Sequence, residues 1–269
     1  TGSGDVSLAS QYTVRRAARP RQRADVLVLE STYGDREFRP RALEEARLVE
    51  QVRTALERGG HTLIAAPPLG TAQEILLTLV HARLQGQVAG VIWVDGMVGA
   101  VNSVYAQYAP LAYPRLARWI ASHGNPFRPD DKLALVAQPY DQYKVLTGPP
   151  AIILTTWNNF RNEPSRFYAK SLAAAAKHLI LVPAGQVAHV AQAVEPGIVH
   201  CAVGSYGLMS HADGAALAAL AARWRPGLVV INHGTPTAKA ALQARLLSTD
   251  IQSVLSGAGQ PISWPAPET

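Results

Sequence analysis

Apolar positions along this chain fall into two patterns: short unbroken runs, and longer stretches at helical spacing. Residues 25–29 (Asp-Val-Leu-Val-Leu) are of the first kind and follow a basic, proline-bearing stretch, so they read as a buried strand. Residues 40–58 are of the second kind, with apolar positions three and four apart and Glu and Arg between them. Pro40 suits a first helical turn, and Gly59-Gly60 a stop. The same rhythm predicts strands at 61–66, 91–94, 133–137, 151–155, 178–182, 198–203, 228–231 and 251–255. It predicts helices at 71–84, 103–122 (one or two, broken near Pro114), 164–177, 214–224 and 237–247. Strands alternating with helices of this length imply an α/β fold with a mostly parallel sheet and helices on its faces. No internal repeat is visible.

Composition adds limits. Hydrophobic residues make up 48% of the 269 positions and charged ones 16%, which excludes wholesale disorder. The length admits one large domain or two modest ones. Every apolar run is far shorter than the roughly 20 residues of a membrane helix. No secretory signal pattern stands at Thr1-Gly2-Ser3-Gly4-Asp5, so a cytoplasmic protein without a membrane partner is expected. The single cysteine, Cys201, rules out a disulfide framework within the chain and a cysteine zinc cluster. Any metal site must rest on His, Asp and Glu. The net charge of +6 is compatible with a polyanionic partner but decides little alone.

In α/β sheets, functional groups gather where strands end and helices begin. Four places carry polar residues there or at the N-terminus: Gly4-Asp5; Glu30-Ser31-Thr32-Tyr33-Gly34; Ser210-His211-Ala212-Asp213; and Asn232-His233-Gly234. Each also has an ordinary structural explanation. Glu30 suits a surface carboxylate, Ser210 and Asp213 suit helix caps, and His233 suits a histidine beside a turn glycine.

Taken together and in this order, these segments resemble the β-CASP branch of the metallo-β-lactamase superfamily. The likeness is carried by Asp25-Val-Leu-Val-Leu-Glu30-Ser-Thr-Tyr-Gly34, by residues 59–74, by Asn125-Pro126-Phe127, by Ser210-His211-Ala-Asp213 and by Val230-Ile-Asn-His233-Gly234. It spans essentially the whole chain. It implies the C-terminal half of a metallo-β-lactamase αββα fold (residues 1–34 and 191–269) with an inserted Rossmann-like β-CASP domain (residues 35–190). It further implies a dinuclear zinc nuclease, with Asp5 and His233 as metal ligands. His211 would be the acid at the reacting phosphate, and Glu30 the carboxylate that orients it. The chemistry suits these residue types. Paired divalent cations take imidazole and carboxylate ligands and activate water, and a carboxylate behind a histidine favours its charged form. Members with histidine at the last motif process RNA, whereas DNA-processing members carry valine there. His233 therefore points to single-stranded RNA, with a DNA-directed nuclease as the alternative.

Two departures qualify the resemblance. The family's His-x-His-x-Asp-His motif is absent from these residues. The expectation is a C-terminal part of a longer protein, or a chain that assembles with an N-terminal half, a partner chain or a second copy. A non-catalytic RNA-binding scaffold is the rival. The other histidines, including His61, His81, His123 and His178, read as structural or surface residues. The second departure lies in the inserted region. Gly70-Thr71-Ala72-Gln73-Glu74 and Thr155-Thr156-Trp157-Asn158-Asn159 stand where relatives carry an arginine and a glycine-rich turn. Asn158, Asn159 and Arg161, together with Ser210, are the expected substrate contacts in their place. Trp157 suits either base stacking or packing.

Overall fold

A computed structural model of the chain describes residues 1–18, 23–194 and 197–264. In chain order the first elements are β1 (Val26–Glu30), α1 (Arg41–Glu57), β2 (Thr62–Ala66), α2 (Thr71–Leu84), β3 (Ile92–Val94) and α3 (Met97–Gln107). A short 3-10 turn, Ala109–Leu111, leads to α4 (Pro114–His123), β4 (Leu133–Leu135), α5 (Pro139–Thr147), β5 (Ile152–Thr156) and α6 (Ser165–Ala173). Then come β6 (Leu179–Pro183), α7 (Ala188–Ala193), β7 (Ala202–Tyr206), α8 (Gly214–Trp224), β8 (Leu228–Asn232), α9 (Pro236–Leu247) and β9 (Ser253–Leu255). Every pairing among these strands is parallel. The α/β class with parallel sheets is therefore observed. No helix among the described residues is long and apolar enough to cross a membrane.

The chain divides into two units. The smaller comprises Thr1–Gln11, Arg15–Arg39 and Met209–Thr269; the larger comprises Tyr12–Val14 and Pro40–Leu208. The smaller unit is built on a three-stranded sheet in the order β1-β8-β9. Leu27, Leu29, Val229 and Ile231 share a core with Leu217 and Leu220 of α8 and Leu242 and Leu246 of α9. Alternation along β1 is the cause: Leu27 and Leu29 are buried while Val28 is 37% exposed, as the period of two in a strand requires.

The larger unit holds six strands in the order β4-β3-β5-β2-β6-β7. β2 lies between β5 and β6 and is buried at all five positions, which is why its sequence is an unbroken apolar run rather than an alternating one. On one side Leu63, Ile153 and Ile180 pack with Tyr168 and Leu172 of α6. α1 buries Glu44, Leu48, Val52 and Ala55, the spacing of one helical face.

The structure departs from the sequence reading in a few elements. α5 and α7 have no counterpart among the predicted helices, and α3 starts at Met97 rather than near residue 103. α3 begins early because Gly96 turns the chain at φ 69° and the Thr156 hydroxyl accepts from the Met97 N–H at 2.9 Å. The last strand of the larger sheet is β7 at Ala202–Tyr206, not residues 198–203. The N–H groups of His200 and Cys201 both donate to Ala173 O, so pairing with β6 starts only at Ala202. Because β7 belongs to the six-stranded sheet, the boundary expected at residue 190 falls instead after Leu208. The other boundary falls at Arg39 rather than at residue 34.

Candidate active site

The site lies in the smaller unit, at the carboxyl ends of β1 and β8. Their register pairs Glu30 with Asn232, so both strands finish at one level. His233 follows directly, and two bonds fix it there. The Ser31 N–H donates to His233 O at 2.7 Å, and the Ser31 hydroxyl donates to the same oxygen at 3.0 Å. His233 takes a left-handed φ of 45°. Gly234 next to it has φ 155°, and a Cβ there would lie 2.5 Å from the Ser31 hydroxyl. Only glycine lets the two chains approach this closely.

Glu30 is the hub. Its side chain is 2% exposed. One oxygen accepts from the Val6 N–H at 2.5 Å, which fixes the strip that carries Asp5. The other accepts from the Thr32 hydroxyl at 2.6 Å and lies 2.8 Å from His211 Nδ1. His211 is itself held by its neighbours. The Ala212 N–H donates to Val6 O at 2.8 Å. Asp213 caps α8 by accepting from the Ala216 N–H, and its second oxygen accepts from the Phe38 N–H. Asp213 is therefore a structural anchor, as a residue of its type before a helix often is.

Asp5 completes the cluster. Its carboxylate lies 4.0 Å from His211 Nε2 and 3.5 Å from His233 Nδ1. The two imidazole rings are 5.9 Å apart. Thr32 Oγ1 stands 3.3 Å from His211 Nδ1 and 3.1 Å from His233 Nδ1, so it touches both histidines and the carboxylate. Sequence reasoning assigns Thr32 no role; a hydroxyl two residues beyond the acidic strand end is the available sign. Tyr33 adds a ring edge-on to His211 at 5.9 Å, and burial raises its phenol pKa.

The electrostatics follow from these contacts. The Glu30 hydrogen bond is the main reason the His211 pKa is raised; burial opposes it, and the charges of Glu30 and Asp5 add to it. Burial works against a charged Glu30, but the bonds from His211, Thr32 and the Val6 N–H outweigh it and leave the carboxyl below its ordinary range. The arrangement favours an imidazolium beside a carboxylate.

The predicted residues are thus distributed as follows. Asp5, Glu30, His211 and His233 come together, with Ser210 next to His211 in the chain. Asn158, Asn159 and Arg161 belong to the larger unit. There the Asn158 amide is engaged within its own loop, donating to Asn162 O and accepting from the Ser165 hydroxyl. Asn159 takes a left-handed φ of 58°, and Arg161 is exposed. Trp157 packs edge-on against Phe160 and His189, on that unit's core.

No family model matches the chain. Among curated proteins, it is 33% identical over 163 residues to the transcription termination factor FttA of Thermococcus kodakarensis, covering 59% of this chain and 25% of that protein. It is 30% identical over 182 residues to an RNase J-like protein of Methanocaldococcus jannaschii, covering 66% of this chain and 42% of the relative. A third relative, the uncharacterized protein sll0514 of Synechocystis, is 30% identical over 217 residues, covering 79% of this chain and 38% of the relative. The chain belongs to the β-CASP family of the metallo-β-lactamase superfamily. It spans between a quarter and about two fifths of the length of these relatives.

For a β-CASP chain, the cluster can be tested as a metal site. One ligand atom each from Asp5, His211 and His233 lies within 4.8 Å of the others. A carboxylate and two imidazoles suit a borderline divalent ion such as zinc, and distances of 3.5–4.0 Å between donors suit groups arranged around one centre. His211 is the exception in kind. Its Nδ1 is taken up by Glu30, which leaves Nε2 as the ring atom that faces Asp5.

Proposed function

We propose that this chain is part of a metal-dependent phosphodiester hydrolase that acts on RNA. In this reading the smaller unit is the C-terminal half of a metallo-β-lactamase αββα fold, and Pro40–Leu208 is the inserted β-CASP domain. The carrying observation is the buried Glu30 carboxylate hydrogen-bonded to His211, with Asp5 and His233 in the same cluster. A relative named for RNase J supports RNA as the substrate class, and the histidine at position 233 agrees with it.

Asp5 and His233 would hold zinc, two ions in the complete site, with further donors completing the coordination. Zinc there would neutralise phosphate charge and make water nucleophilic near neutral pH. The chain's own residues supply the proton. Glu30 accepts the Nδ1 proton of His211 and fixes the ring, leaving Nε2 as the atom that donates. A protonated His211 gives its Nε2 proton to the leaving oxygen and keeps its Nδ1–H on Glu30. Thr32 steadies both partners through its bond to Glu30. A cytoplasmic location goes with this reading.

The test uses the complete protein that contains this chain and matched RNA and DNA oligonucleotides. RNA should be cut faster than DNA, a chelator should abolish cleavage, and zinc should restore it. Preference for DNA would refute the substrate class. Absence of cleavage by the zinc-loaded protein would favour a scaffold.

A further inference from the structure

Four aromatic rings of the larger unit form a continuous stack that ends at the surface. Tyr12 stacks on His81 with centroids 4.7 Å apart, His81 on Trp119 at 5.0 Å, and Trp119 on His123 at 4.8 Å with ring planes only 6° apart. The inner end is anchored. The Arg41 guanidinium lies 5.7 Å over the Tyr12 ring, and buried Glu74 accepts from the Tyr12 and Thr13 N–H groups and pairs with Arg41. The outer end is not covered. His123 is exposed, and among the described residues no further ring stacks beyond it. Its Nδ1 is engaged by the Ser122 hydroxyl and Trp119 O, so the ring is held in place.

The charged side chains of α4 itself have one sign. Arg115, Trp119 and His123 are spaced four apart and share one face of α4, with exposed Arg118 beside them. No salt bridge is formed by Arg115 or Arg118 among the described residues. From Met97 to Pro129 the sequence contains no Asp or Glu, while Arg115, Arg118 and Arg128 lie within it. On the buried side of α4, Leu116 joins Tyr105, Tyr108 and Phe127 around an apolar hollow of about 210 Å³.

We propose that α4 is a docking surface for single-stranded RNA, made of residues other than those of the Glu30 cluster. A base extends the ring stack on His123, and Arg115 and Arg118 bind the flanking phosphates. A fixed aromatic face beside unpaired arginines is the recognition chemistry of single strands, since stacking accepts any base and cations follow the backbone. An acidic peptide would satisfy the arginines but gain nothing from the ring stack, so the observations favour RNA. The inference rests on the RNA reading above, and it adds a second place where that RNA is held.

The experiment is fluorescence anisotropy with a labelled 12-nucleotide single-stranded RNA, on the complete protein, in chelator so that no cleavage occurs. His123→Ala should weaken binding about five- to a hundredfold, the range expected for losing one base stack. His123→Phe should restore it. Arg115→Ala with Arg118→Ala should weaken binding and flatten its salt dependence, by about 0.7 in log–log slope for each phosphate no longer neutralised. Unchanged affinity in His123→Ala would overturn the proposal. So would a polyglutamate peptide bound as tightly as the RNA, because charge alone would then account for the surface. The two readings fail separately. His123-dependent binding without RNA cleavage in zinc would sink only the nuclease, and cleavage with His123-independent binding would sink only this surface.

Discussion

Glu30 is a carboxylate that the fold has almost removed from solvent and yet keeps ionised. Three hydrogen bonds, from His211, Thr32 and the Val6 N–H, make that possible. The dependence runs both ways. Glu30→Gln removes the partner that raises the His211 pKa, so that pKa should fall, as a pH titration of the imidazole carbon protons by NMR would show. A histidine pKa that stays put would mean that Glu30 does not orient it. His178 behaves oppositely. It stacks on His61 and accepts the His61 N–H at 2.9 Å, which needs an unprotonated Nδ1. Burial, then His61 and Lys177, push its pKa down to about 4 from 6.5. As pH falls below about 6.5, the unfolded chain takes up a proton that the folded chain refuses. Stability should therefore decline from about pH 6.5 to about pH 4, by at most roughly 3.5 kcal/mol at ~1.4 kcal/mol per pK unit. His178→Asn keeps an acceptor without the titration, and its urea midpoint should fall less steeply over that range. The four clustered residues stand out in the sequence because each sits in a distinctive string: Glu30 and His233 at strand ends, His211 before a helix and Asp5 near the N-terminus. Thr32 could not, because its role comes from touching two histidines brought from distant parts of the chain.

Among the elements, the strands and helices that bury an unbroken run or a regular stripe were legible, and those made by local chemistry were not. α5 exposes most of its surface, and its sign is Pro139 at the first turn with Asp141 accepting from the Gln138 N–H. β7 is an edge strand of Ala, Val, Gly, Ser and Tyr, so no apolar run marks it. The loop after β1 shows how tightly one element can depend on another. A Cβ on Gly34 would lie 2.3 Å from Ala238 O of α9, and one on Gly214 would lie 2.2 Å from Gly34 O. Both obstacles are backbone, which cannot swing aside. Gly34→Ala should therefore destabilise the smaller unit by about 1–3 kcal/mol, the usual cost of overpacking. Thermal unfolding followed by circular dichroism would measure this, and an unchanged midpoint would show that α9 is not seated as described.

At the scale of the whole molecule, the chain consists of two parallel-sheet units whose sequences interleave: residues 12–14 belong to the larger unit although they lie within the smaller unit's N-terminal part. Glu74 explains that excursion, since it binds the N–H groups of Tyr12 and Thr13 in the larger unit. Sequence alone places the domain boundary at residue 190, because an apolar strand with no partner in view can join either sheet; only its pairing with β6 assigns it. The family, the order of its motifs and the α/β class were all readable from the residues. The Glu30–Thr32–His211 network that ties the motifs together was not. The proposal's central claim is that His211 protonates the leaving oxygen. It is tested most directly in the complete protein with His211→Ala, comparing RNA that has its natural leaving oxygen with RNA that has sulfur there, zinc content being checked in parallel. A thiolate leaves without a proton. The account predicts a loss of about 10²–10⁴-fold on the oxygen substrate and little loss on the sulfur one, with zinc retained. Equal losses on both substrates, or no loss on either, would contradict it.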